Sequence, residues 1–183
     1  MNAASPGVIA LFQPNEFYPT QDAYLEALGE AMRPEYEAIV AAGLILQLDS
    51  PDLGLGRHMA YKQLPEAEYL RVTELHVEVL NHAMRNIPAN RVRMHVCWGN
   101  YEGPHTHDIE MAAIFPTLMR AKPAGLLFET ANPRHGHDWA AVKAARARIP
   151  EDKVLIPGVI DPEIVWAKLA TLAEGVRIAS ARV

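Results

Sequence analysis

The chain has 183 residues, of which 50% are apolar and 21% charged. This is ordinary globular usage, which excludes disordered, collagen-like and disulfide-stapled classes. Lysine plus arginine total 17 against 22 aspartates plus glutamates, a net charge of -5, so no basic excess exists to hold a phosphate backbone and a nucleic-acid binder is not expected. The one cysteine, Cys97, cannot form an internal disulfide and points to a reducing, cytoplasmic setting; no run of about 18 apolar residues suits a membrane span, and the opening MNAASPGV lacks the pattern of a secretory signal.

In chain order, Thr20 to Ala42 reads as a helix, with Tyr24, Leu28, Met32, Tyr36 and Val40 recurring every four residues and Thr20 as N-cap. Pro34 predicts either a kink or the first turn of a second helix, and Gly43 ends the segment. The apolar run Leu44–Leu48, stopped by Asp49-Ser50-Pro51, reads as a buried parallel strand. A loop follows, then a helix from Glu66 to Asn86, closed by Pro88-Ala89-Asn90, then a second strand over Arg91–Cys97. A Gly-, Pro- and His-rich loop over Trp98–Asp108 leads to a helix over Ile109–Arg120 and a third strand, Gly125–Glu129. A further loop, a helix over Asp138–Arg148, a fourth strand over Val154–Val159 and a final helix from Pro162 complete the series.

Alternating strands and helices predict an α/β domain with a parallel sheet and right-handed crossovers. No linker divides residues 1–183, so they read as one unit. The His, Asp, Asn and Gly residues concentrate in loops after strands, where α/β proteins carry their chemistry. A closed barrel needs eight strands and about 250 residues, so four strands in 183 residues predict either an open sheet or part of a barrel.

The sharpest local feature is His95-Val96-Cys97. Alternation along a strand puts His95 and Cys97 on one face and Val96 on the other. Imidazole nitrogen and thiolate sulfur are common zinc ligands; the plainer alternative is a core histidine and a small buried cysteine. Glu129 ends the third strand after four uncharged residues, and adjacent parallel strands would bring it beside Cys97. The alternative is a helix cap or a salt bridge to Arg134. His95, Cys97 and Glu129 together would form a three-ligand set with an open position, as in catalytic zinc sites. Asp49 ends the first strand and is a candidate for holding a substrate ammonium, or is simply a turn aspartate. His105, His107, His135 and His137 lie in the post-strand loops as candidates for gating a site or binding anions, and Trp98 and Tyr101 as pocket walls.

The segment Arg93-Met-His-Val-Cys-Trp-Gly-Asn-Tyr-Glu-Gly-Pro-His resembles the zinc motif of the cobalamin-independent methionine synthase superfamily, and more narrowly of its short members related to epoxyalkane:coenzyme M transferase. Leu46-Gln-Leu-Asp-Ser-Pro-Asp, Leu127-Phe-Glu-Thr-Ala-Asn-Pro-Arg-His and Pro157-Gly-Val-Ile-Asp support the resemblance in the same order, which spans the chain from about Ala4 onward. It implies a (β/α)₈ barrel with zinc at the carboxyl ends of the strands, ligated by His95 and Cys97 with Glu129 as ligand or neighbour, and Asp49 near the amino group of the thiol substrate. The implied reaction is S-methyl transfer in methionine biosynthesis, from a methyltetrahydrofolate-like donor to a homocysteine-like thiol. Transfer to another thiol such as coenzyme M, or a non-catalytic truncated remnant, are the alternatives.

The chain departs from the family in two ways. The family carries a further ligand cysteine in an Asp-Cys-Gly context, whereas no cysteine follows Cys97. The family's first half-barrel also has no counterpart. The expectation is therefore a partial (β/α)₈ barrel of about four carboxyl-terminal units with an internal deletion, which would self-associate or need a second chain to cover its sheet edges.

Overall fold

Among the described residues, five strands form one parallel sheet whose spatial order, β1-β2-β3-β4-β5, is the order of the chain. They are β1 (Asn2–Ala4), β2 (Leu46–Asp49), β3 (Val92–Val96), β4 (Gly125–Glu129) and β5 (Val154–Gly158). The helices are α1 (Pro6–Phe12), α2 (Gln21–Ala41), α3 (Leu55–Met59), α4 (Glu66–Ala83), α5 (Met111–Arg120), α6 (Asp138–Ala144) and α7 (Val165–Ser180). The computed structural model describes residues 1–99, 103–131, 135–158 and 165–180, without the side chains of 165, 167, 168 and 179.

The four expected strands are joined by a fifth, β1, which pairs Ala3 with Leu48 and Ala4 with Asp49. Asn2-Ala3-Ala4 has no apolar run or branched side chain, so local preference does not mark it as a strand; the unpaired edge of β2 recruits it. Pro34 neither breaks nor restarts α2, which runs unbroken through it. The proline is exposed, so water can satisfy the carbonyl one turn earlier. The Thr20 hydroxyl caps α2 by accepting from the Ala23 N–H at 3.1 Å. The segment after Pro51 is a 3₁₀ turn (Pro51–Leu53) followed by α3, not an open loop. α4 stops at Ala83 and α6 at Ala144, short of the expected Asn86 and Arg148. The expected strand end at Val159 and the expected helix start at Pro162 lie outside the described residues.

One face of the sheet carries Leu46, Leu48, Val92, Met94, Val96, Leu126 and Phe128, all at most 3% exposed. They pack in a single core with Tyr36 and Ile39 of α2, Tyr69, Val77 and Leu80 of α4, and Ile114, Phe115 and Leu118 of α5. Parallel strands laid down in sequence with crossovers of one hand put their connecting helices on one side, and the burial pattern follows. The opposite face, with Gln47, Asp49, Arg93, His95, Cys97, Leu127 and Glu129, is half-buried to exposed.

A buried polar network locks the amino-terminal units together. The Ser5 hydroxyl donates to Asp52 Oδ1 at 2.9 Å and accepts from the Val8 N–H, capping α1. His76 Nδ1 lies 2.9 Å from Asp52 Oδ2, and the Tyr69 hydroxyl donates to the Asp52 carbonyl at 3.0 Å. A Cβ at Gly7 would stand 2.1 Å from Asp52 Oδ2, so only glycine admits this carboxylate against α1. At the other end of the chain, α7 leaves Trp166, Leu172 and Val176 exposed.

Candidate metal centre at the carboxyl ends of the strands

The residues singled out from sequence gather at one end of the open face. The parallel register pairs Asp49 with His95, His95 with Leu127, and Val96 with Phe128. One more residue along that register sets Cys97 opposite Glu129, which itself pairs with Gly158. One donor atom each of His95, Cys97 and Glu129, of the kinds that can hold a metal ion, lie within 4.8 Å of one another. The structure thus brings the three together as sheet geometry requires, two from alternate positions on β3 and one from the end of β4.

Backbone contacts fix these positions. The Ser50 N–H donates to the His95 carbonyl at 2.9 Å and the Leu55 N–H to the Cys97 carbonyl at 3.0 Å, so the turn after β2 clamps the end of β3. A Cβ at Gly54 would fall 2.5 Å from the Cys97 carbonyl oxygen; glycine is what allows that approach. Gly99, at φ +85°, then turns the chain away in a conformation that suits glycine. The Thr130 hydroxyl donates to the Gly158 carbonyl at 2.6 Å and holds the end of β4 against β5.

Asp49 takes a place that sequence reasoning did not assign. Its Oδ1 lies 2.7 Å from His95 Nδ1. A carboxylate on Nδ1 fixes the imidazole's orientation and leaves Nε2 with a lone pair, the usual support of a metal-binding histidine. Burial pushes the Cys97 thiol up to about 11, with the Glu129 and Asp49 charges adding to the rise and a hydrogen bond with the Gly99 backbone opposing it. A thiol between two carboxylates is poorly placed to ionise by itself; a cation there would reverse that. The alternative partner for Glu129, Arg134, lies outside the described residues, as does Tyr101.

The loop histidines divide into inner and outer members. His105 Nδ1 lies 2.7 Å from Asp108 Oδ2, and His135 Nδ1 lies 3.1 Å from Asp138 Oδ2. His107 and His137 are exposed; His107 meets Thr106 Oγ1 at 2.9 Å, and His137 Nε2 stands 3.4 Å from both Glu110 Oε2 and Asp138 Oδ1. Trp98 is fully buried, donates from Nε1 to the Ile109 carbonyl at 2.8 Å, and packs its ring 4.8 Å from that of His135. Burial works against the His135 imidazolium, but its flanking carboxylates Asp108 and Asp138 outweigh it and raise the pKa to about 9.

Sequence reasoning missed the carboxylates of this second group. Their signal was present as a repeated tetrad, His105-Thr-His-Asp108 and His135-Gly-His-Asp138, after consecutive strands. Comparison of the chain with protein-family models, curated proteins and solved structures finds no match.

Proposed function

We propose that the chain is a zinc-dependent thiol alkyltransferase of the cobalamin-independent methionine synthase type, with His95, Cys97 and Glu129 as metal ligands. The observation that carries this reading is the convergence of one imidazole, one thiol and one carboxylate within 4.8 Å at the ends of β3 and β4. The donor set fits zinc, which accepts N, S and O ligands and in catalytic sites retains an open position. When bound, zinc supplies one thing: a coordinated thiol substrate is deprotonated near neutral pH and becomes a competent nucleophile.

The chain's own residues do the rest. Asp49 holds His95 in the tautomer that leaves Nε2 available, and its exposed position at the rim suits a second contact, to the ammonium of a homocysteine-like substrate. The half-open face beside Leu127 and Glu129 would take the thiol and a methyltetrahydrofolate-like donor. Five parallel strands in chain order support the reading of an arc of a (β/α)₈ barrel, in which the open face would be the barrel interior. β1 and β5 form the two edges of this sheet, so completing the barrel would take strands beyond these five, and a second copy or another chain is the proposed source. A reducing cytoplasm, where Cys97 stays a thiol, is the compartment such chemistry needs; no described helix is long and apolar enough to cross a membrane.

The test is metal content and turnover. The purified chain is expected to bind zinc, with a thiolate-to-metal charge-transfer band after cobalt substitution, and to lose that band in Cys97→Ala and His95→Ala. Methyl transfer from methyltetrahydrofolate to homocysteine, assayed beside alkyl transfer to coenzyme M, assigns the acceptor. A chain that shows no thiolate-ligated metal overturns the proposal.

A further inference from the structure

We infer a second divalent-metal site, built where the two His-x-His-Asp tetrads meet, with His105, Asp108 and His135 as ligands. It draws on different residues and different donors from the strand-end centre. Each tetrad is folded alike, its first histidine giving Nδ1 to the aspartate three residues on, at 2.7 Å in one and 3.1 Å in the other. The loops after β3 and β4 then bring the tetrads together, so that ligating atoms of His105, Asp108 and His135 all lie within 4.8 Å of one another.

Two details suit a bound cation. His135 Nε2 and Asp108 Oδ2 are 3.6 Å apart, beyond hydrogen-bond reach. Two ligands sharing a tetrahedral ion at about 2.0–2.1 Å are separated by about 3.3 Å, close to this gap. His135, only 6% exposed, buries Nε2 with no hydrogen-bond partner, and Asp108 Oδ1 is buried in the same condition. Buried polar atoms are rarely left so, and one bound cation would satisfy both. With Nδ1 held by Asp138, His135 directs Nε2 toward Asp108, the orientation a carboxylate imposes on a metal-binding histidine.

The site opens on a cleft of about 370 Å³ that Glu110, His137 and Asp138 also line. Two imidazoles and one carboxylate, without sulfur, suit a first-row divalent cation such as Zn²⁺, Co²⁺ or Fe²⁺ and leave coordination positions free. Because the Trp98 ring packs on His135 and follows Cys97 directly in the chain, an ion here would fix the wall beside the strand-end centre.

The experiment is cobalt and zinc loading of the chelator-stripped full chain at micromolar free metal, read by metal analysis and cobalt absorption. The expected result is about two metals per chain in the parent and about one in Cys97→Ala, the latter with a d–d spectrum but no thiolate band. Asp108→Asn is expected to keep the thiolate-ligated metal and lose the other; His105→Gln takes the same readout if Asp108→Asn does not fold. A Cys97→Ala chain that folds but binds no metal, and whose melting temperature added zinc does not raise, overturns the inference, as does an unchanged metal count in a folded Asp108→Asn chain. One metal without a thiolate band, removed by Asp108→Asn, would sustain this site and reject the strand-end centre.

Discussion

The two faces of the sheet come from the same strands, yet they do opposite work. Leu48, Met94, Val96 and Phe128 sit under the helices at 0–2% exposure, where side chains are judged by volume and shape. Asp49, His95, Cys97 and Glu129, interleaved with them, stay at least partly open to solvent and carry donor atoms. Alternation lets the molecule separate stability from chemistry at one-residue spacing. Changes on the donor-bearing face should therefore disturb folding little and binding much, while changes on the covered face should do the reverse.

Truncation in the covered face should cost the most. Phe128→Ala, at a site 2% exposed in the core, should cost about 3–5 kcal/mol in denaturant unfolding. His95→Gln, measured in chelator, should cost about 1 kcal/mol or less. Equal losses would erase the distinction between the faces.

The next effect concerns the support of His95, the proposed ligand. Asp49→Asn keeps the shape but weakens the contact with His95 Nδ1, 2.7 Å in the native chain. Metal affinity at the strand-end centre should fall about 10–100-fold by competition titration, with the melting temperature of the metal-free chain little changed. An unaltered affinity would return Asp49 to a substrate-only or turn role.

The smallest effect is a pH profile. Burial, then the Glu129 and Asp49 charges, raise the Cys97 thiol to about 11 despite the Gly99 contact. The thiolate reacts and the thiol does not, so alkylation by iodoacetamide in chelator should keep accelerating above about pH 9 and level off near 11. Because the folded pKa lies above the unfolded one, the protonated thiol favours the fold, and that contribution fades as pH rises from about 9 to about 11. Saturating zinc should suppress alkylation throughout. An inflection at the free-thiol value of about 8.5 would mean that the thiol lies outside the buried, anionic setting described.

Much of the fold was legible because its signals are local. The four longer strands, the cap at Thr20 and the helix it starts follow from patterns within a few residues. β1 was not legible, since Asn2-Ala3-Ala4 becomes a strand only against β2. The continuity of α2 through Pro34 depended on that proline facing water. At the site, His95 and Cys97 were linked by their i, i+2 spacing, and Glu129 by its place at a strand end. The hydrogen bond of Asp49 to His95, and the meeting of the two histidine tetrads, join segments 46 and about 30 residues apart, for which spacing alone provides no rule.

Local patterns were enough to fix which residues alternate between faces, where the four longer strands and most helices lie, and that donor atoms cluster after strands, because backbone chirality and side-chain period are properties of each short segment. Which donors meet was settled by the folded arrangement alone. That choice depends on strand register, and register is set by packing the covered face against α2, α4 and α5, where a slip of one residue would turn every buried side chain outward.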